Sequence, residues 1–265
     1  MKKISIIATS LIFLFACNSA DKDAKKTKYS DLISDGLKGE VASVEEAPYK
    51  VDSTGKPGEM DSCCTDKWQY DENGNYIGST SKDSKGTLKS ESVAQRYPDG
   101  LWKGEKTTRD GKSTGIETKV DDKGIWVSAS SWDSTGKMDN YYTGITQNEF
   151  GQVMSWKQYD KDSVFRQEWA SKYDKNLQTS YTMKDSTGKL KSSGEFKYND
   201  KGEQTEASNT TVTKDSTTTK VTKYTYDTHD DQGNWTQRTT WDDKGKATKV
   251  NKRSYSYRPK EAEKK

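Results

Sequence analysis

The sequence predicts an all-β protein: an antiparallel meander of about sixteen strands built from repeated hairpins, forming a twisted open sheet or a partly closed shell. Three observations carry this. The pattern Asp/Asn-x-x-Gly marks ten candidate turns, beginning at Asp52, Asp71, Asp83, Asp121, Asp133, Asn148, Asp185, Asn199, Asp230 and Asp242. Asp or Asn first and Gly fourth is what a type I turn with a left-handed exit residue requires, and such a turn closes a short hairpin through a bulge. Between turns the residues alternate. Trp126, Ser128, Ser130 and Trp132 share one face, as do Phe165, Gln167, Trp169, Ser171 and Tyr173, and again Trp235, Gln237, Thr239 and Trp241. Period two is the strand signature. The third observation is composition. Of 265 residues 32% are charged and 29% hydrophobic, and beyond residue 17 Leu, Ile, Val and Phe number 25 of 248. That level belongs to disordered chains. Yet the same stretch holds all 15 Tyr and 8 Trp, which disordered chains lack, so the buried surface must be made of rings, Thr and alkyl stems.

The chain opens on Met1-Lys2-Lys3 and an apolar run from Ile4 to Phe15. A basic start and an apolar segment too short to span a bilayer form a secretory signal. Leu14-Phe15-Ala16-Cys17 resembles a bacterial lipobox, whose thiol is diacylated and becomes the new N-terminus, with Phe15 departing from the small residue preferred there. Residues 1–17 are therefore read as a lipoprotein signal ending at Cys17. Asn18 follows rather than an Asp, which favours the outer membrane, on either its periplasmic face or the cell surface. Acyl chains contribute about 0.8 kcal/mol per buried methylene, so a lipidated Cys17 anchors without help from the body. Residues 18–36 read as a flexible tether in which Ser30 to Gly36 can make one helical turn ending at the glycine. Residues 37–257 are the repeat domain and 258–265 a charged tail.

Within the domain, Asp99-Gly100 and Asp110-Gly111 look like two-residue type I′ loops, and Asp160, Asp174 and Asp215 begin degenerate turn copies. Fifteen reversals at spacings of 11 to 19 residues leave strands of about 7 to 10 residues and no room for helices. The residue before the turn is aromatic at Tyr70, Trp132, Tyr159, Tyr173, Tyr198, Tyr226 and Trp241. Rings recurring at strand ends are expected to stack across neighbours into a ladder.

Tyr70-Asp71-Glu72-Asn73-Gly74-Asn75 resembles the YD-repeat pattern of RHS repeat proteins, and Tyr226-Asp227 with Gly233-Asn234-Trp235 is similar to the last copy in short bacterial YD-like lipoproteins. The resemblance covers roughly residues 40 to 257 and implies a β-sheet shell. Long RHS proteins enclose a C-terminal toxin; that function is not carried over, since the chain runs only eight residues past Tyr257.

The chemistry is sparse. Without Lys2 and Lys3 the chain carries 42 basic and 41 acidic side chains, which is no footprint for nucleic acid. His229 is the one histidine, so zinc sites and Ser-His-Asp sites lack their usual parts. Asp227, His229, Asp231 and Asn234 faintly resemble a calcium loop, but Gln232 and Arg238 stand where Gly and an acid belong. Most Asp residues occupy turns, and no desolvated acid marks a hydrolase. Neither a catalytic residue, a metal nor a cofactor is expected. Cys63 and Cys64 are adjacent, with a vicinal disulfide, pairing to another chain, and free thiols all open to them. Asp-Ser-Thr recurs at 52, 133, 185 and 215, with Asp162-Ser163-Val164 a variant; this resembles the O-glycosylation motif of some envelope proteins, although the turn alone accounts for Asp and tolerates Ser and Thr. The expectation is a non-enzymatic outer-membrane lipoprotein, a β scaffold or binding subunit for another envelope protein. The alternative is a glycan-binding module whose platform is Trp126, Trp132, Trp156, Trp169, Trp235 and Trp241.

Overall fold

The computed structural model describes residues 31–52, 55–97 and 100–259. The signal, Cys17 and most of the tether lie outside these. A short helix α1 (Asp31–Ser34) precedes β1 (Val41–Val51), β2 (Pro57–Met60), β3 (Cys63–Tyr70), β4 (Tyr76–Asp83), β5 (Leu88–Arg96), β6 (Trp102–Arg109), β7 (Lys112–Val120), β8 (Trp126–Trp132) and β9 (Met138–Gln147). Then come β10 (Val153–Asp160), β11 (Phe165–Asp174), β12 (Leu177–Asp185), β13 (Leu190–Tyr198), β14 (Gln204–Val212), β15 (Thr217–His229), β16 (Trp235–Trp241) and β17 (Ala247–Tyr257).

Most turns behave as their residues dictate, but the copies expected from Asp174 and Asp215 are corrected: Lys175 and Asn176 form a two-residue loop between paired Asp174 and Leu177, and the later loop begins at Thr213, whose N–H donates to Ser216 O. In all ten Asp/Asn-x-x-Gly turns the first residue's N–H donates to the carbonyl of the fifth, and the Gly N–H donates back to the first. In the nine copies whose residues are all described, the first side chain then accepts from the third and fifth amides, as Asp121 does from Lys123 and Ile125, both at 2.9 Å. Each of these glycines has positive φ. Asp110 and Gly111, both left-handed, form the expected two-residue turn. The Asp99-Gly100 expectation is corrected: Tyr97 N–H donates to Leu101 O and Gly100 N–H to Tyr97 O, so this loop is another copy of the four-residue turn, begun by Tyr97.

The sheet is not open. β3 to β17 pair antiparallel in chain order, and β1 pairs with β17 on one side and with β2 and β3 on the other. β2 and β3 are one strand interrupted around Asp61 and Ser62, so sixteen strands close into an up-and-down barrel without a free edge. Closure satisfies the backbone groups that an edge would leave to water. Sixteen strands about 4.8 Å apart and tilted about 40° give, for a circular section, a backbone diameter of about 32 Å. A barrel of this strand number is wide enough for an aqueous interior.

The two walls differ. Outward residues are mostly hydrophilic, for example Lys89, Glu91 and Gln95 on β5, Glu195 and Lys197 on β13, and Lys223, Thr225 and Asp227 on β15, with scattered exposed apolar side chains such as Val93, Val127 and Val164. A wall facing lipid needs an apolar band about 25 Å tall, and a basic residue at its middle costs about 2–4 kcal/mol. This wall is built for water. The inner wall carries the rings and small polar residues, with buried clusters around Val41, Val44, Tyr70 and Tyr76 and around Trp102, Trp126 and Val153.

Bulges beside the turns correct the uninterrupted alternation read from sequence. On β8 the register slips between Lys119 and Val120 of its partner, so Trp126 points inward while Ser128, Ser130 and Trp132 point outward. The same device separates inward Trp169 from outward Phe165 and inward Trp235 from outward Trp241. The ring ladder is corrected likewise, because successive turns lie at opposite ends of the barrel. At the end that holds α1, pre-turn tyrosines point inward, and several donate their hydroxyl to a carbonyl at the start of the preceding strand: Tyr198 to Gln178 at 2.8 Å, Tyr226 to Gln204 at 2.9 Å, and likewise Tyr255 to Trp235 at 2.6 Å on the last strand, whereas Tyr70 donates to the Asp35 carboxylate. At the far end Trp132, Tyr159 and Trp241 point outward.

Candidate functional site

The inner wall from β8 to β14 combines ring faces with neutral polar groups. Trp156 and Trp169 stack with centroids 5.9 Å apart, Tyr142 meets Trp156 edge-on at 5.4 Å, and Tyr181 stacks on Phe196 at 6.0 Å. All five are half-buried. Toward the far end an amide chain runs beside them: Gln167 donates to Gln158 at 2.7 Å, Gln158 to Asn140 at 2.7 Å, and Lys191 donates to Gln167 at 2.9 Å. Each of these contacts joins strands that are neighbours or next but one, so the network lines the wall without crossing the lumen. An apolar pocket opens between Trp126, Tyr142, Ile145, Val153 and Trp156.

The closing seam holds the charged part of the wall. Glu46 on β1 accepts from Arg253 Nε at 2.6 Å and from Asn251 Nδ2, with Arg238 Nη2 3.8 Å away. Burial pushes the Glu46 carboxyl up, and Arg253 and Arg238 outweigh it, so the group sits below its ordinary value. The Arg253 guanidinium lies 4.0 Å from the Trp235 ring centroid, which Arg238 also approaches at 4.8 Å. Next to the seam is a polar cavity of about 360 Å³ lined by Glu46, Asp66, Arg109, Lys249, and Cys63 and Cys64, which are joined in a vicinal disulfide.

The segment after the tether seals part of one end. Asp31 accepts from Tyr76 N–H at 2.6 Å and Arg96 Nη2 at 2.7 Å, and Asp35 accepts from the Tyr70 hydroxyl at 2.6 Å. Burial pushes the Asp35 carboxyl up to about 7; burial also raises Asp31, against the opposing charge of Arg96. Lys38 and Asn234 exchange hydrogen bonds at 2.8 Å, which carries the segment to the β15–β16 turn. Residues 31–36, expected within the tether, are thus seated on the barrel, and Arg258, expected in the tail, donates to Val41 O at 3.0 Å.

The residues singled out in the sequence are divided by this geometry. Trp126, Trp156, Trp169 and Trp235 line the lumen, whereas Trp132 and Trp241 stand outside; Trp132 covers Gly115, and Trp241 donates to Thr225 Oγ1 at 3.0 Å. The six make no single row. Asp227, His229 and Asn234 point to different partners: Thr239, Glu203 and Lys38 respectively. Among the described residues no group of three or more His, Cys, Asp or Glu is placed to hold a metal. The Glu46 seam and the Asp31–Arg96 pair had no sequence signal, since their partners lie 65 to 207 residues apart.

No protein-family profile matches the chain, and no curated protein matches it. Among solved structures it is similar to a porin-like protein from Bacteroides uniformis ATCC 8492, with a TM-score of 0.52 at 14% identity, covering 82% of this chain and 98% of that one. A porin-like protein from Bacteroides vulgatus ATCC 8482 aligns over 83% of this chain and 99% of its own, with a TM-score of 0.23 at 11% identity. The TcdB2-TccC3 structure aligns over 78% of this chain and 15% of its own, at 0.28 and 12%. The first shows a shared barrel fold.

Proposed function

We propose that the protein is a non-enzymatic binding barrel of the bacterial envelope, anchored by a lipid on Cys17, that receives a glycan strand on its inner wall. The observation that carries this reading is the half-exposed ring surface of Tyr142, Trp156 and Trp169 beside the neutral chain Asn140, Gln158 and Gln167. Sugars offer apolar C–H faces to rings and hydroxyls to amides, and a neutral guest needs no countercharge there. The signal and lipobox supply the address, and the porin-like description of the Bacteroides uniformis structure suits an envelope setting.

Tryptophan fluorescence titration with a panel of soluble oligosaccharides tests it. Trp156→Ala or Trp169→Ala should abolish the response, and Trp132→Ala, on the outer wall, should keep it. Absence of any response from the wild type across the panel argues against the reading.

A second reading, a scaffold for another envelope protein, is favoured by one outer patch. Tyr141 and Tyr159 stack at 5.0 Å, Phe165 follows at 5.5 Å, and Met138 and Val164 beside them are exposed. A stoichiometric partner recovered from mildly solubilised membranes and lost in Tyr159→Lys would select this reading.

A further inference from the structure

The two ends of the barrel use one turn and differ at its second residue. At the end that holds α1 that residue is Glu72, Asp122, Glu149, Asp200 and Asp231. At the far end it is Ser84, Ser134 and Ser186, with Lys161 and Asp243 the exceptions. The backbone hydrogen bonds are the same at both ends, so turn stereochemistry does not select serine. Side-chain bonding does not select it either. In the two described Asp-Ser-Thr-Gly turns it is the threonine that the aspartate uses: Thr135 Oγ1 donates to Asp133 at 2.6 Å and Thr187 Oγ1 to Asp185 at 2.7 Å. Ser134 and Ser186 are exposed, and among the described residues neither hydroxyl has a hydrogen-bond partner. The Asp162-Ser163 and Asp215-Ser216 loops fall on this same rim, although Ser216 Oγ is engaged by Thr213 at 3.0 Å. The exposed Ser134 and Ser186 therefore lie on the rim opposite α1, where a bulky group does not meet the 31–36 segment.

We propose that Ser134 and Ser186 are acceptor sites for an O-linked neutral sugar. In the transfer the serine oxygen bonds to the anomeric carbon of a diphosphate-activated glycosyl donor, the bond from that carbon to the diphosphate breaks, and the serine proton passes to a base of the transferase. A phosphate is the wrong modification here, because its two charges would sit beside the Asp133 or Asp185 carboxylate. The site does not depend on what the lumen binds.

The test uses the full chain purified from the membranes of the cells that produce it, with peptides spanning residues 134 and 186 sequenced by electron-transfer fragmentation. Whole-sugar mass increments are expected on both serines, and they should be absent from chain made in a cytoplasm without envelope glycosyltransferases. Ser134→Ala with Ser186→Ala should remove both increments and leave the melting temperature within about a degree of the cytoplasmic wild type. Unmodified serines in the native protein, increments confined to other residues, or a phosphatase-sensitive increment would each overturn the proposal.

Discussion

Glu46→Ala tests how the barrel is closed. The substitution removes the acceptor of Arg253 Nε and Asn251 Nδ2 and leaves the Arg253 and Arg238 guanidinium groups on the seam without their carboxylate. Removing one partner of a buried ion pair costs about 3–5 kcal/mol. The side chains of Glu46 and Arg253 keep 12% and 20% exposure, so water takes up part of the freed charge and the lower end, about 3 kcal/mol, is expected. At about 2–4 °C per kcal/mol for a chain of this length, melting should fall by about 6–12 °C. The comparison is Glu45→Ala, one residue away on the exposed outer wall, with an expected effect within about 0.5 kcal/mol. Thermal unfolding followed by far-ultraviolet circular dichroism measures both. Because Glu46 is held below its ordinary pKa, its contribution is complete above the ordinary carboxylate range and is lost as pH falls through the lowered value. Wild type and Glu46→Ala should therefore converge in acid. Glu46→Leu combined with Arg253→Met should recover much of the loss, since a packed apolar pair substitutes for a buried ionic one. Equal melting of Glu46→Ala and Glu45→Ala would refute the reasoning.

Other outcomes follow from the same structure. Asp35 has a raised folded pKa of about 7, so it binds a proton more tightly folded than unfolded, and wild-type stability should fall as pH rises from about 4 to 7. Asp35→Asn removes that dependence, and denaturant titrations across this range should show its advantage growing with pH; a constant difference would contradict the placement of Asp35. Gly104→Ala puts a Cβ against the Ile116 carbonyl, where backbone must move, and should cost about 3 kcal/mol. Gly136→Ala meets open space and only a left-handed φ, and should cost about 1 kcal/mol; chemical denaturation separates the two. Cys17→Ala should move the protein from the membrane to the soluble fraction on cell fractionation, and retention in the membrane would mean that something other than the acyl anchor holds it.

The parts legible in sequence were those with local causes. Asp121 and Gly124 meet three residues apart, so the turn they form needs nothing from the rest of the chain, and the same holds for Asp110-Gly111 and for the stop of the first helical turn at Gly36. The face of each ring was less legible. Trp126 and Trp132 are six residues apart and in phase for period two, yet one residue of bulge places them on opposite walls. A bulge depends on how the partner strand registers, which no residue of β8 reports by itself. The expected ring ladder failed for a related reason: the spacing of the tyrosines was visible, but not the alternation of the turns between two ends, which turns one ladder into inward hydroxyl clasps and outward plates.

By itself the sequence determined the strand count, the antiparallel order and the chemistry of the turns, because hairpins are set by residues within a few positions of one another. Only the tertiary structure decided that β1 meets β17, that Glu46 meets Arg253 across 207 residues, that the rings Trp156 and Trp169 face inward, and that the serine turns share one rim. Those outcomes arise from the closing of the sheet, in which the last strand finds the first through twist, register and the burial of polar edges summed over all sixteen strands. No local segment contains that sum.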